Sequence, residues 1–96
     1  MLITGVLEIE IHIPSAQSLK QKRSVVKSLK DRLRLSFNVS VAETGHLDKW
    51  QLATLTIAMV SRDQQYLDSK FQAISGFIET ELLGSAVVLK SELSLL

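Results

Sequence analysis

The sequence predicts an α+β fold in which two strand–helix–strand halves share one sheet, and three observations carry that expectation. Residues 2–13 alternate between apolar and polar. Two later segments repeat apolar residues at helical spacing, and two further alternating stretches lie between them. The chain has 96 residues, enough for one hydrophobic core and too few for two, so residues 1–96 form a single domain. With 46% hydrophobic residues, four glycines and one proline, the composition is that of a folded chain.

The elements follow in order. In the first strand Ile3, Leu7, Ile9, Ile11 and Ile13 point one way, with Thr4, Glu8, Glu10 and His12 on the other face. Pro14 ends it. Ser18 stands three residues before Gln21, the spacing of a capping box. From there Leu19, Val26, Leu29 and Leu33, with Val25 beside them, make the apolar stripe of a helix that fades near Ser36. Phe37, Val39 and Val41 then alternate with Asn38, Ser40 and Ala42, a second strand. Thr44 to Lys49, containing Gly45 and Asp48, is expected to be a hairpin loop. Leu55, Ile57 and Met59 alternate with Thr54, Thr56 and Ala58 in the third strand. Ser61, three before Gln64, is expected to open a second helix. Its stripe is Leu67, Phe71, Ile74, Ile78 and Leu82, and Gly84 is its stop. Val87, Leu89, Leu93 and Leu95 form the fourth strand, whose other face carries Lys90 and Glu92. The order β-α-β-β-α-β is that of the ferredoxin-like sandwich. Right-handed crossovers then place both helices on one face of a four-stranded antiparallel sheet.

Composition excludes several functions. Without cysteine there is no disulfide scaffold, no thiol nucleophile and no thiolate metal site. The opening LITGVLEIEIHI has two glutamates and no basic n-region, so it is expected to be a strand and not a leader. No uncharged apolar run approaches the ~20 residues of a bilayer span. The expected location is cytoplasmic, with no membrane partner.

Net charge is only +1, but its distribution is uneven. Between Ser18 and Phe37, Lys20, Lys22, Arg23, Lys27, Lys30, Arg32 and Arg34 stand against the single acid Asp31. Seven cations less one acid make this segment +6 and leave −5 for the rest. At ~100° per residue, Lys20, Arg23, Lys27, Lys30 and Arg34 fall on one line beside the apolar stripe. Positive charge at repeated intervals matches a phosphate backbone, and Arg grips phosphate bidentately. These five are the candidate contacts to RNA or the ribosome. A solvated face, or an acidic protein partner, fits the same pattern.

The second sheet face is expected to be open, with Glu8, Glu10 and His12, Asn38 and Ser40, Thr54 and Thr56, and Lys90 and Glu92. RNA-recognition motifs of this topology stack bases on aromatics of the central strands. Here those positions hold carboxylates and threonines, so this face is not expected to read RNA. Glu8, Glu10 and His12 lie ~7 Å apart along the strand, too far to share a metal without help from next-door strands. Cross-strand pairing of a glutamate with Lys90 is the simpler expectation. The open face is also the expected seam of a homodimer, an alternative in which the protein is an interaction module without nucleic-acid binding.

Around the hairpin cluster Glu43, His46, Asp48, Trp50 and Gln51. His46 and Asp48 have the chemistry of an acid–base pair, but no nucleophile accompanies them, and Asp48 more simply shapes the turn. Trp50 is expected to pack over the sheet edge or the basic helix, with an exposed partner anchor as the alternative. Trp50 and His46 are the candidate partner contacts. An acylphosphatase would need a phosphate cradle with an arginine after the first strand, and Pro14 to Ser18 supply neither glycine nor arginine. No P-loop or dinucleotide fingerprint is present. The expectation is a non-enzymatic protein without catalytic residues, cofactor or metal.

Several blocks taken together resemble a known family. They are Ile13-Pro14, Ser18-Leu19-Lys20, Lys22-Arg23, Val26-Lys27-Ser28-Leu29, Asp31-Arg32-Leu33, Phe37 through Glu43, Asp48, Trp50-Gln51 and Ala53-Thr54. They are similar to the YlxP-like family of small bacterial proteins, catalogued as a domain of unknown function. The resemblance spans essentially the whole chain, the last 25 residues matching only in pattern. It implies a ferredoxin-like fold and genes lying among those for transcription termination, translation initiation and ribosome maturation factors. It implies no catalytic residues. Lys49 and Gly45-His46-Leu47 depart from the family's hairpin.

Overall fold

The computed structural model describes all of residues 1–96. Its elements are β1 (Ile3–His12), α1 (Leu19–Ser36), β2 (Ser40–Gly45), β3 (Leu52–Ser61), α2 (Gln64–Leu82) and β4 (Val87–Leu95). The strands form one sheet in the order β2-β3-β1-β4 with every neighbouring pair antiparallel. This is the ferredoxin-like arrangement the sequence predicts.

The core is the sum of the periodic stripes. Leu7, Ile9, Ile11 and Ile13 of the first strand region join Ala53, Leu55, Ile57 and Met59 of β3. Val26, Leu29 and Leu33 of α1 and Leu67, Phe71, Ile74, Ile78 and Leu82 of α2 close over them, all buried. Burying each large apolar side chain stabilises by about 1.5–3 kcal/mol, so this cluster dominates folding. Gly5 is required by the packing. A Cβ there would lie 2.5 Å from Cε2 of Phe71, so the absent side chain lets α2 seat its phenyl ring on β1.

Both helices start on side-chain caps. Ser18 Oγ accepts from the Gln21 N–H at 3.1 Å, and Gln21 Oε1 accepts from the Gln17 N–H at 2.7 Å. The second helix opens later than Ser61. That serine still belongs to β3 and accepts from the Asp63 N–H, while Asp63 caps α2 by accepting from Gln65 and Tyr66. A carboxylate at the N-cap also suits the helix dipole, which a serine cannot match. Gly84, with φ +84°, turns the chain after α2.

Two strand boundaries depart from the alternation. The second strand is Ser40–Gly45 and not the stretch beginning at Phe37. The Phe37 N–H still closes α1 onto the Leu33 carbonyl, and its ring meets Phe77 edge-to-face at 5.6 Å. The strand then continues through Thr44 and Gly45, which shifts the hairpin loop to residues 46–51. In β4, Glu10 faces Lys90 whereas Ile11 faces Val88, so Leu89 is an extra residue, a bulge. The bulge turns Val88 inward and leaves Val87 on the open face opposite His12.

Candidate nucleic-acid interface

The apolar stripe of α1 has an unexpected member. Its buried residues are Lys22, Val26, Leu29 and Leu33, spaced four, three and four apart. Lys22 is 0% exposed. Its ammonium donates to the carbonyls of His46 at 2.8 Å, Leu52 at 3.2 Å and Leu47 at 3.3 Å. Glu43 Oε2 stands 2.9 Å away. Three protons cannot serve four acceptors. The carbonyls take the aligned bonds, and the Glu43 oxygen, which receives none, neutralises the ammonium by charge. Lys22 therefore fastens the β2–β3 loop to α1 and is not part of any surface. The signal was present in the sequence: Lys22 lies four residues before Val26, and Glu43 two after Val41, each at an inward-facing position.

Arg32 lies off the row, and its exposed guanidinium pairs with Glu81 of α2 at 2.5 Å. What remains is the row Lys20, Arg23, Lys27, Lys30 and Arg34. Within it Asp31 takes Lys27 at 2.6 Å and a weaker contact from Arg34 at 3.6 Å. The hydrogen bond from Lys27 holds the Asp31 carboxyl below the usual carboxylate range, with Arg34 and Lys30 adding attraction. Arg34 also donates to the Val41 carbonyl at 2.8 Å, which fixes it against β2. Lys20, Arg23 and Lys30 form no ion pair. The row thus has three unpartnered cations and two that are held, with Asp31 cancelling one of the five.

The hairpin differs from expectation. Trp50 is 55% exposed and packs neither over the sheet edge nor onto α1 as a buried ring. Its neighbour Gln51 explains this. The Gln51 side-chain amide donates to the Pro14 and Ala16 carbonyls, and the Gln51 backbone carbonyl accepts from the Ile13 N–H, so the loop is tied down without the indole. Trp50 instead lines a shallow open pocket with His12, Asp48, Lys49, Gln51 and Leu52 at one end of the open sheet face. His46, with φ +56°, places Nε2 3.2 Å from Glu10 Oε2 and makes no hydrogen bond to Asp48. The two candidate partner contacts therefore lie on the sheet side of the loop, while Lys22 secures its helix side.

On the open face Glu10 lies opposite Lys90 in register but pairs with His46 instead, and Glu8 lies opposite Glu92. Thr44 and Thr56 hydroxyls share a hydrogen bond at 2.8 Å. No three His, Asp or Glu side chains converge at metal-binding distance. No helix is long and apolar enough to cross a membrane.

Known proteins agree with the architecture. A de novo designed protein with ferredoxin fold, LFR1 1, superposes with a TM-score of 0.55 at 18% identity, covering 97% of this chain and 82% of that one. The designed protein Foldit4 gives 0.52 at 16% identity, over 97% and 96%. A putative chlorite dismutase, TA0507, gives 0.52 at 10% identity, this chain spanning 44% of its length. At these identities the likeness shows the fold alone. In sequence, the Uncharacterized protein YlxP of Bacillus subtilis (strain 168) is 38% identical over 76 residues, 79% of this chain and 83% of that protein. The family described as Protein of unknown function (DUF503) matches residues 4–91, and the chain belongs to that family.

Proposed function

We propose that the protein is a non-enzymatic, cytoplasmic binding module that contacts RNA or the ribosome through the solvent face of α1. The supporting observation is that Lys20, Arg23 and Lys30 are left without acidic partners on one face of α1, although acids elsewhere in the chain are used to pair Lys22 and Arg32. Phosphate oxygens at regular intervals are the partners such a row fits. Lys27 and Arg34 extend the row, held by Asp31 until a phosphate competes. A role in ribosome maturation or translation is consistent with this chemistry.

Co-sedimentation with ribosomal particles across a salt series tests the proposal. Association should weaken steeply as salt rises and be lost on charge reversal at Arg23 and Lys27. Absence of any salt-sensitive association, with no effect of the reversal, would sink it. A homodimer through the open sheet face has less support. Two copies face to face would gather Glu8, Glu10 and Glu92 of each, with Lys90 the only lysine or arginine that the strands present on that face.

A further inference from the structure

β4 lies at the edge of the sheet, and apolar side chains remain uncovered along it. Val87, Leu89, Leu93 and Leu95 are all exposed, although the strand is nine residues long. An uncovered apolar edge of this length is a template for another strand. On its helix side, a trough lined by Leu7, Phe71, Ser91 and Leu93 separates β4 from α2.

The hydrogen-bond parity of this edge can be assigned. Thr4 and Leu96 exchange both backbone bonds, at 3.3 and 2.7 Å. Exchange alternates along an antiparallel ladder, so Ser94, Glu92 and Lys90 bond inward to β1. Ser91, Leu93 and Leu95 consequently aim their N–H and C=O groups at the free edge.

We infer that two copies of this chain pair edge to edge through antiparallel β4 strands, with the two-fold axis at Ser91. In that register the two Ser91 residues exchange backbone hydrogen bonds. Lys90 of each copy stands opposite Glu92 of the other, and Leu93 meets Leu89. Lys90 and Glu92 then occupy the non-hydrogen-bonded sites, where side chains are closest. The two nearest registers of the same parity are worse: one sets Lys90 opposite Lys90, the other Glu92 opposite Glu92. The pattern Leu89-Lys90-Ser91-Glu92-Leu93 is thus self-complementary in one alignment. Edge charges and the bulge at Leu89 oppose indiscriminate strand addition, and the two-fold closes the pair so that no filament grows. The result is an eight-stranded sheet with all four helices on one side and both α1 rows facing solvent.

Sedimentation of the full chain over micromolar to millimolar concentration reads this out. Wild type should form a concentration-dependent dimer. Ser91→Pro removes an N–H that faces solvent in the monomer, a position where an edge strand accepts proline, and should leave only monomer. Lys90→Glu should weaken the dimer at least tenfold, and Lys90→Glu with Glu92→Lys should restore it. Thr56→Arg, in the middle of the open face, should leave it intact. A monomeric wild type overturns the inference. So does a dimer indifferent to Ser91→Pro, or one abolished by Thr56→Arg.

Discussion

The two helices cover the same sheet, yet they spend their surfaces differently. Over Leu19–Ser36, α1 has seven cations and one acid. Over Gln64–Leu82, α2 has Lys70 against Asp68, Glu79 and Glu81. The first opens on a neutral serine followed by Lys20, Lys22 and Arg23, against the sense of its dipole. The second opens on Asp63, with it. α2 buries five apolar residues, whereas α1 gives one inward position to Lys22. Burial of its capped apolar stripe explains α2, even with Glu79 and Glu81 set against the dipole near its C-terminus. It does not explain α1, whose basic first turn and like-charge spacing each cost a few tenths of a kcal/mol or more. The difference separates a helix that serves the core from one that also serves a partner.

The sharpest way to break this comparison lies inside α1. Replacing Lys22 by Met strands Glu43 and three carbonyls in a largely buried site, and removing one member of a buried pair costs about 3–5 kcal/mol. Urea denaturation should therefore show Lys22→Met strongly destabilised. Arg23→Ala, one residue on, should change stability by no more than ~0.5 kcal/mol. Equal losses at the two positions would erase the distinction between the buried and the exposed cation. A smaller effect is expected at Arg32, whose exposed pair with Glu81 joins the helices. Arg32→Ala should cost about 0.2–1 kcal/mol.

Binding should divide the helices in the same way. Glutamates at Lys20, Arg23 and Lys30 should abolish RNA association with stability almost unchanged, whereas reversing Asp68 and Glu79 of α2 to lysine should leave it in place. Least in magnitude, Asp31→Asn should free Lys27 and Arg34 and strengthen RNA binding by a few-fold at low salt. Filter binding across salt concentrations checks all three.

Much of the fold was legible because its core stripes are strict. Leu7 to Ile13 on β1 and Leu67 to Leu82 on α2 need only periodicity to be placed. Boundaries were less so, since Phe37 and Val39 are apolar enough for a strand, but Phe37 is claimed by the end of α1 and by Phe77, and the Val39 N–H turns back to the Phe37 carbonyl. The bulge at Leu89 depends on where β4 meets β1, which local pattern does not contain. The site divided similarly. The row along α1 follows from helical spacing, but which cations are free depends on Glu43, Asp31 and Glu81, and two of those acids are distant in sequence. Trp50 was misjudged because a lone tryptophan ordinarily seeks cover. Gln51 secures the loop without it.

The central claim is that Lys20, Arg23 and Lys30 meet phosphate. Its most direct measurement is the dependence of RNA affinity on salt for wild type and for the variant carrying glutamate at all three positions. At about 0.7–0.9 per neutralised phosphate, the three free cations should give wild type a log–log slope near −2 to −3. The variant should show little measurable binding and no such slope. Equal slopes in the two proteins would contradict the account.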